Sequence, residues 1–141
     1  MSHAGNLTAI VVAAIAAWLF GGIYYTALSG PWLKAMGKTL EQCKAEQATK
    51  SGVAKAAPFV LVFVGELVMS WVTYGILLHM NMFTVRGGAI IGAGCWLGFV
   101  LTTITANNAF QGRKAMLTVI DSAAWLGALL IIGAVIGWFG A

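Results

Sequence analysis

This sequence predicts an all-α fold: a bundle of four membrane-spanning helices with both termini outside and a short amphipathic cytoplasmic helix between the first two. Three observations lead there. Hydrophobic residues make up 60% of the 141 residues and charged residues only 9%, with a mean hydropathy of +0.90. A soluble domain carries about 25% charged residues, so this chain lacks the polar surface needed to stay in water. Four apolar stretches each reach the roughly 20 residues that a bilayer demands, and the basic residues collect beside them on one side.

The first stretch runs from about residue 7 to residue 29 (LTAIVVAAIAAWLFGGIYYTALS). Ala27-Leu28-Ser29 before Gly30 faintly resembles a signal-peptidase site. The residues ahead of the stretch include no Lys or Arg, however, and the apolar run is too long, so a retained helix is expected. Gly30-Pro31 should end it, because proline cannot continue a helix. Trp32, Leu33 and Met36 beside Lys34 and Lys38 suggest a short piece lying in the interface. Thr39 and Gln42 have capping-box spacing, Glu46 and Lys50 stand four apart as a helical pair would, and Ser51-Gly52 supplies a stop. A short cytoplasmic helix over about Leu40–Lys50 follows from these signals.

The second span covers about residues 57–79, with Pro58 tolerable in its first turn, and Met80 to Gly87 form an external turn. The third covers about 88–110, and Gln111-Gly112-Arg113-Lys114 make a tight connection to the fourth at about 116–139. Residues 1–141 thus form a single integral membrane domain with no room for a separate soluble one. Lys34, Lys38, Lys44, Lys50, Lys55, Arg113 and Lys114 fall on one side of the spans and only Arg86 on the other. By the positive-inside rule both ends lie outside, which places the protein in a bacterial inner membrane with the termini in the periplasm.

In lipid the hydrophobic effect no longer drives helices together, so small residues that allow close approach become informative. Ala9, Ala13, Ala17 and Gly21 recur every four residues down the first helix. Gly88/Gly92 and Gly94/Gly98 are two such pairs in the third helix, and Gly133/Gly137 is another in the fourth. They are explained either by tight packing within one bundle or by contact between subunits, and their number makes a homo-oligomer the expectation.

The two acids within the spans are the candidate functional residues. Glu66 lies about nine residues, or about 14 Å, into the predicted second helix, with Ser70 and Thr73 on the same face. A charge near mid-membrane costs at least about 2.5–3.5 kcal/mol and so needs a reason. With no Lys or Arg inside any span, a neutral or hydrated carboxyl is expected. Gly21, Thr102 and Trp125 are expected at similar depth. Asp121 lies nearer the cytoplasmic end of the fourth helix, at the level of Tyr24, Tyr25, Thr105, Asn107 and Asn108, with Arg113 and Lys114 within reach. Asp121 is equally well explained as a cap or pair at the interface, and Glu66 as a structural hydrogen-bond donor.

Other chemistry is weakly represented. His79, Met80 and Met82, with His3, are ligand types that suit copper, but methionine is a common apolar filler. Cys43 and Cys95 fall in different compartments and form no CxxC pair, so neither disulfide nor zinc site is expected. The six tryptophans read as packing or interfacial residues. No nucleophile–base pair or phosphate loop is present, which disfavours an enzyme and leaves no cofactor to expect. The basic residues point to anionic lipid rather than nucleic acid.

Two stretches carry a resemblance. One is Trp18 to Gly37 (WLFGGIYYTALSGPWLKAMG), with its Gly-aromatic-Tyr helix end and the turn before Trp32. The other is Trp96 to Phe139, with TTITANNAFQGRK and AWLGALLIIGAVIGWF. Together they resemble a bacterial family of small four-helix membrane proteins, domain of unknown function 1761, differing at Thr26-Ala27, where the family commonly has Ser-Pro, and at Ala123-Ala124. The resemblance implies the fold and topology and no activity.

On these grounds the leading expectation is a homo-oligomeric channel- or transporter-like module, in which Glu66, Thr102 and the Asp121/Asn108 region handle a proton or small solute. The alternative is a non-catalytic accessory or assembly subunit that binds lipid through its basic loop; a lipid-modifying enzyme is a distant third. The topology has a direct check. In a Cys43→Ser, Cys95→Ser background, cysteines placed at Ser2 and Ala141 are expected to react with impermeant reagents from outside, whereas one at Gln47 is not. Outside labelling at Gln47 would reverse the orientation.

Overall fold

The computed structural model describes residues 3–140, with side chains from residue 6 onward. In chain order it comprises α1 (His3–Ala27), α2 (Ser29–Met36), α3 (Leu40–Ala48), α4 (Gly52–Met80), α5 (Val85–Cys95), a π-helical segment (Trp96–Leu101), α6 (Thr102–Phe110) and α7 (Ala115–Phe139). α5, the π segment and α6 follow one another without a break. Four helices are long and apolar enough to cross a membrane: Asn6–Ala27, Gly52–Met80, Val85–Phe110 and Ala115–Phe139.

Several boundaries differ from the sequence reading for local reasons. α1 stops at Ala27 because Leu28 leaves helical geometry. Gly30-Pro31 therefore does not end α1. Pro31 is the third residue of α2, where a missing N–H costs nothing because the first-turn donors have no intrahelical acceptor. α2 closes on Gly37 at φ 72°. There the Gly37 and Lys38 N–H groups donate to the carbonyls of Lys34 and Leu33, a left-handed closure that glycine adopts without strain.

The α3 capping box forms as expected: the Thr39 hydroxyl accepts from the Gln42 N–H while the Gln42 side chain accepts from the Thr39 N–H. α3 buries no residue, and its apolar side chains do not gather on one face; the amphipathic piece is α2, which buries Ala35. Glu46 pairs not with Lys50 but with Lys38, at 2.9 Å. The hydrogen bond from the Lys38 ammonium holds the Glu46 carboxyl below the usual carboxylate range. Such an exposed pair adds little stability, and what it adds is lost as pH falls through the lowered value.

Ser51 is a start rather than a stop. Its hydroxyl accepts from the Ala54 N–H and caps α4, which begins at Gly52 and so places Pro58 inside the helix instead of in its first turn. Residues 51–62 are all exposed, so this early part of α4 buries none of its side chains within the chain. At the other end Asn81, at φ 54°, closes the helix.

α7 is the organising helix. It packs against α1, α4 and α5 and also touches α2, α6 and the π segment. Its contact with α5 is made backbone to backbone. A Cβ added to Gly88 would fall on the carbonyl of Gly133, and one added to Gly133 would fall on the carbonyl of Gly88. On either side, Gly92 lies against the Leu129 carbonyl and Gly137 against the Thr84 carbonyl. Thr84, Gly88 and Gly92 thus meet Gly137, Gly133 and Leu129 in antiparallel register, one rung per helical turn. On the α1 side, Gly127 makes room for the Phe20 ring. The small face of α1 is also real at Ala9, Ala13, Ala14 and Ala17, all 0–1% exposed.

Gly21, Gly94 and Gly98 meet nothing within 4 Å. These three expected packing glycines are not used for close contact within the chain. A paired test follows. Gly88→Ala or Gly133→Ala should lower unfolding stability in mild detergent by at least about 1–3 kcal/mol, because a methyl group meets fixed backbone. Gly94→Ala should change it by no more than about 0.5–1 kcal/mol, in the stabilising direction, since glycine weakens helix interiors. Equal effects at both places would mean that α5 and α7 do not cross on these glycines.

Candidate functional site

Glu66 stands fourteen residues from each end of α4, about 21 Å along the axis in either direction. It is therefore farther from the start of its helix than the sequence boundaries suggest, because α4 starts five residues earlier. Its side chain is 2% exposed, Ser70 one turn later is 0% exposed and Thr73 beyond it is 4% exposed. Glu66 Oε2 and Ser70 Oγ are buried with no hydrogen-bond partner among the described residues. The Trp18 indole N–H donates to the Phe59 carbonyl at 3.1 Å, and the Trp18 ring meets Phe63 edge-on. From that anchor the antiparallel register brings Glu66 to the level of about Ala13 and Ser70 to the level of about Ala9 on α1. The buried residues of α1 at these levels, Ala9 and Ala13, carry no polar side chain.

Thr102 does not join Glu66. It is exposed on the third span, and its hydroxyl donates to the Gly98 carbonyl of its own helix. Thr105 likewise turns back onto Leu101, and Thr103 onto Phe99. All three acceptors lie in the π segment, whose widened turn loosens the regular carbonyl pairing.

Asp121 forms a separate cluster with the tyrosines. The Tyr25 hydroxyl donates to Asp121 Oδ1 and the Tyr24 hydroxyl to the Ile120 carbonyl, both at 2.7 Å. Tyr24 and Tyr25 meet edge to face, and Tyr25 meets Trp32 in the same way. Together with Met36 these aromatics cover the buried Ala35, Leu117 and Ile120, so the cluster fastens α2 and the end of α1 onto α7. Arg113 is not paired with Asp121 but donates to the Gln111 side chain. Asn108 lies apart as well, donating to the Thr118 hydroxyl.

Two open clefts lie at the Arg113 end. One of about 290 Å³ is bounded by Ala35–Gly37, Gly112–Lys114 and Leu117. The other, about 400 Å³, opens between the third span and α7, along Leu101, Thr105 and Ala109 on one side and Thr118, Val119 and Ser122 on the other. Neither touches Glu66. The second exists because the glycine register ends: where the next rung would fall stands Trp96, whose indole N–H donates to the Ser122 carbonyl at 2.7 Å. Sequence reading missed Ser122, Gly127 and this wedge. Only a residue-by-residue count along the antiparallel register, known once Gly88 and Gly133 are paired, could have found them.

Of the weak metal candidates, His79 Nδ1 lies 2.7 Å from the Gly75 carbonyl, Met82 packs against the core, and His3 has its side chain outside the described residues. Among the described residues no three His, Cys, Asp or Glu side chains gather as a metal site.

The family described as Protein of unknown function (DUF1761) matches residues 8–137, a range that enters every span and includes Glu66. No curated protein and no solved structure matches the chain.

The Tyr25–Asp121 bond can be measured by a double-mutant cycle with Tyr25→Phe and Asp121→Asn. Tyr25→Phe alone should cost about 1–3 kcal/mol, the range for losing a hydrogen bond to a carboxylate, here a part-buried one. The two losses should not add. Strict additivity would mean that the bond does not hold α1 to α7.

Proposed function

We propose, for a chain that belongs to the DUF1761 family of proteins of unknown function, a transport-type role in which Glu66 takes up and releases a proton or small solute within a membrane. One observation carries this reading. Glu66 is 2% exposed at the midpoint of a 29-residue apolar helix, and neither its Oε2 nor the neighbouring Ser70 Oγ has a partner among the described residues. A purely structural acid would be expected to be hydrogen-bonded, because an unpaired buried polar group costs about 1–3 kcal/mol. Retaining two at one level suits a site whose pairing is completed by something that comes and goes.

In the same proposal α2, α3 and the Gln111–Lys114 turn face the cytoplasm of a bacterial inner membrane, the termini face outward, and the basic loop contacts anionic lipid. The chain works as a homo-oligomer through Gly94 and Gly98, which meet nothing within 4 Å in their own chain. The closed packing around Glu66 favours a second reading, a non-catalytic accessory subunit. The described clefts lie away from the acid, so uptake requires α1 and α4 to separate transiently.

Reconstitution in liposomes separates the two. Glu66→Gln should leave the protein folded and abolish pH-dependent flux, and Glu66→Asp should retain part of it with a shifted pH optimum, since one methylene withdraws the carboxyl. Unchanged pH dependence in a well-folded Glu66→Gln protein would establish the acid as a packing feature and favour the accessory role.

A further inference from the structure

We propose that Glu66 and Ser70 together bind a monovalent hard cation of the sodium class. This rests on the transport reading above and specifies what its site holds.

Donor chemistry comes first. Glu66 and Ser70 are one turn apart on the same face of α4, a spacing that puts their Cβ atoms about 5–6 Å from each other. The Oε2 of one and the Oγ of the other are buried without partners. Carboxylate and hydroxyl oxygens are hard ligands that select alkali and alkaline-earth ions over the softer metals served by sulfur and imidazole. Thr73, also buried, supplies the next oxygen-bearing side chain along that face.

Charge then selects valence. The helices packed against α4 are α1, α5 and α7. From Asn6 onward the ionisable groups of α1 are Tyr24 and Tyr25; those of α5 are Arg86 and Cys95, and α7 carries Asp121. Tyr25 is committed to Asp121 and Tyr24 to a backbone carbonyl. On α4 itself, Lys55, Tyr74 and His79 stand about 17, 12 and 20 Å from Glu66 along the axis. None of these groups hydrogen-bonds or ion-pairs with Glu66, so the site carries a single negative charge. A monovalent ion neutralises it; a divalent one would leave an uncompensated charge in low dielectric, which is strongly unfavourable.

Size comes last. Glu66 and Ser70 are 2% and 0% exposed, and Ala13 and Ala9 at their levels on α1 are 0% and 1% exposed. Such an enclosure excludes an organic cation, and because Glu66 and Ser70 alone cannot replace a hydration shell, an inorganic ion keeps water as its remaining ligands.

Because the ion needs the ionised carboxylate, protons compete with it. Its affinity should fall by about tenfold per pH unit on the acid side of the Glu66 titration.

Thermal unfolding of the purified full-length protein in mild detergent tests this with sodium, potassium and choline chlorides at equal ionic strength, at acid and alkaline pH. A ligand that binds only the folded state raises the midpoint in a saturable way. Sodium should do so beyond choline and potassium, and more strongly at alkaline pH. Glu66→Gln should lose the increment, and Ser70→Ala should need at least about tenfold more sodium for the same shift. Ser70→Ala keeps the test decisive if Glu66→Gln fails to fold. A wild-type response equal in all three salts, or a Ser70→Ala protein that responds like wild type, would overturn the proposal. If proton flux in liposomes still depended on Glu66 in that case, the transport reading would stand and only the sodium site would fall.

Discussion

Everything in the bundle is arranged around the place where α5 and α7 touch through their backbones. Gly88 and Gly133 each leave room for the other's carbonyl, and in lipid such close approach replaces the hydrophobic drive that would assemble helices in water. Contacts of this kind bring Cα–H groups against carbonyl oxygens and maximise dispersion between the two helices. With α5 held on one side and the Phe20–Gly127 contact on another, α7 becomes the post against which α1 and α4 also lean. Its inward face, from Leu117 through Ile132 to Ile136, is accordingly the longest run of buried side chains.

The same contact explains its own limit. Small residues permit approach for three turns, and then Trp96 enters the register with an indole that must be accommodated. The chain responds with a hydrogen bond to the Ser122 carbonyl, a widened π turn over Trp96–Leu101, and a cleft between the diverging helices. Thr102, Thr103 and Thr105 then return their hydroxyls to carbonyls of that turn. Polar residues that look like a functional stripe in one dimension serve here to satisfy the backbone of their own helix.

Against that background the Glu66 level stands out by contrast. Asp121, Asn108, Tyr24 and Tyr25 all have partners, and their bonds tie elements together. Glu66 and Ser70 are 2% and 0% exposed, and Glu66 Oε2 and Ser70 Oγ have no partner among the described residues. Pairing of the first group and its lack in the second divide one set of candidate residues into a fastening and a candidate site.

Sequence alone determined what depends on composition and on local chemistry. Four apolar runs long enough to cross a bilayer, the Thr39–Gln42 capping box and the buried Ala9–Ala17 face follow from residue type and spacing, because helix formation and burial in lipid are largely local or single-helix properties. The distance of Glu66 from the start of its helix was underestimated because Ser51 reads as a stop until its hydroxyl is seen capping the next helix. Which glycines are used was decided only in three dimensions. Gly88, Gly92, Gly94 and Gly98 are equivalent as a pattern, yet the first two face α7 and the last two face away, since a helix has one inward side and the pattern does not say which. The separation of Thr102 from Glu66, and of both from Asp121, has the same cause: depth can be counted along one helix, but the direction a side chain points is set by the neighbour its helix packs against.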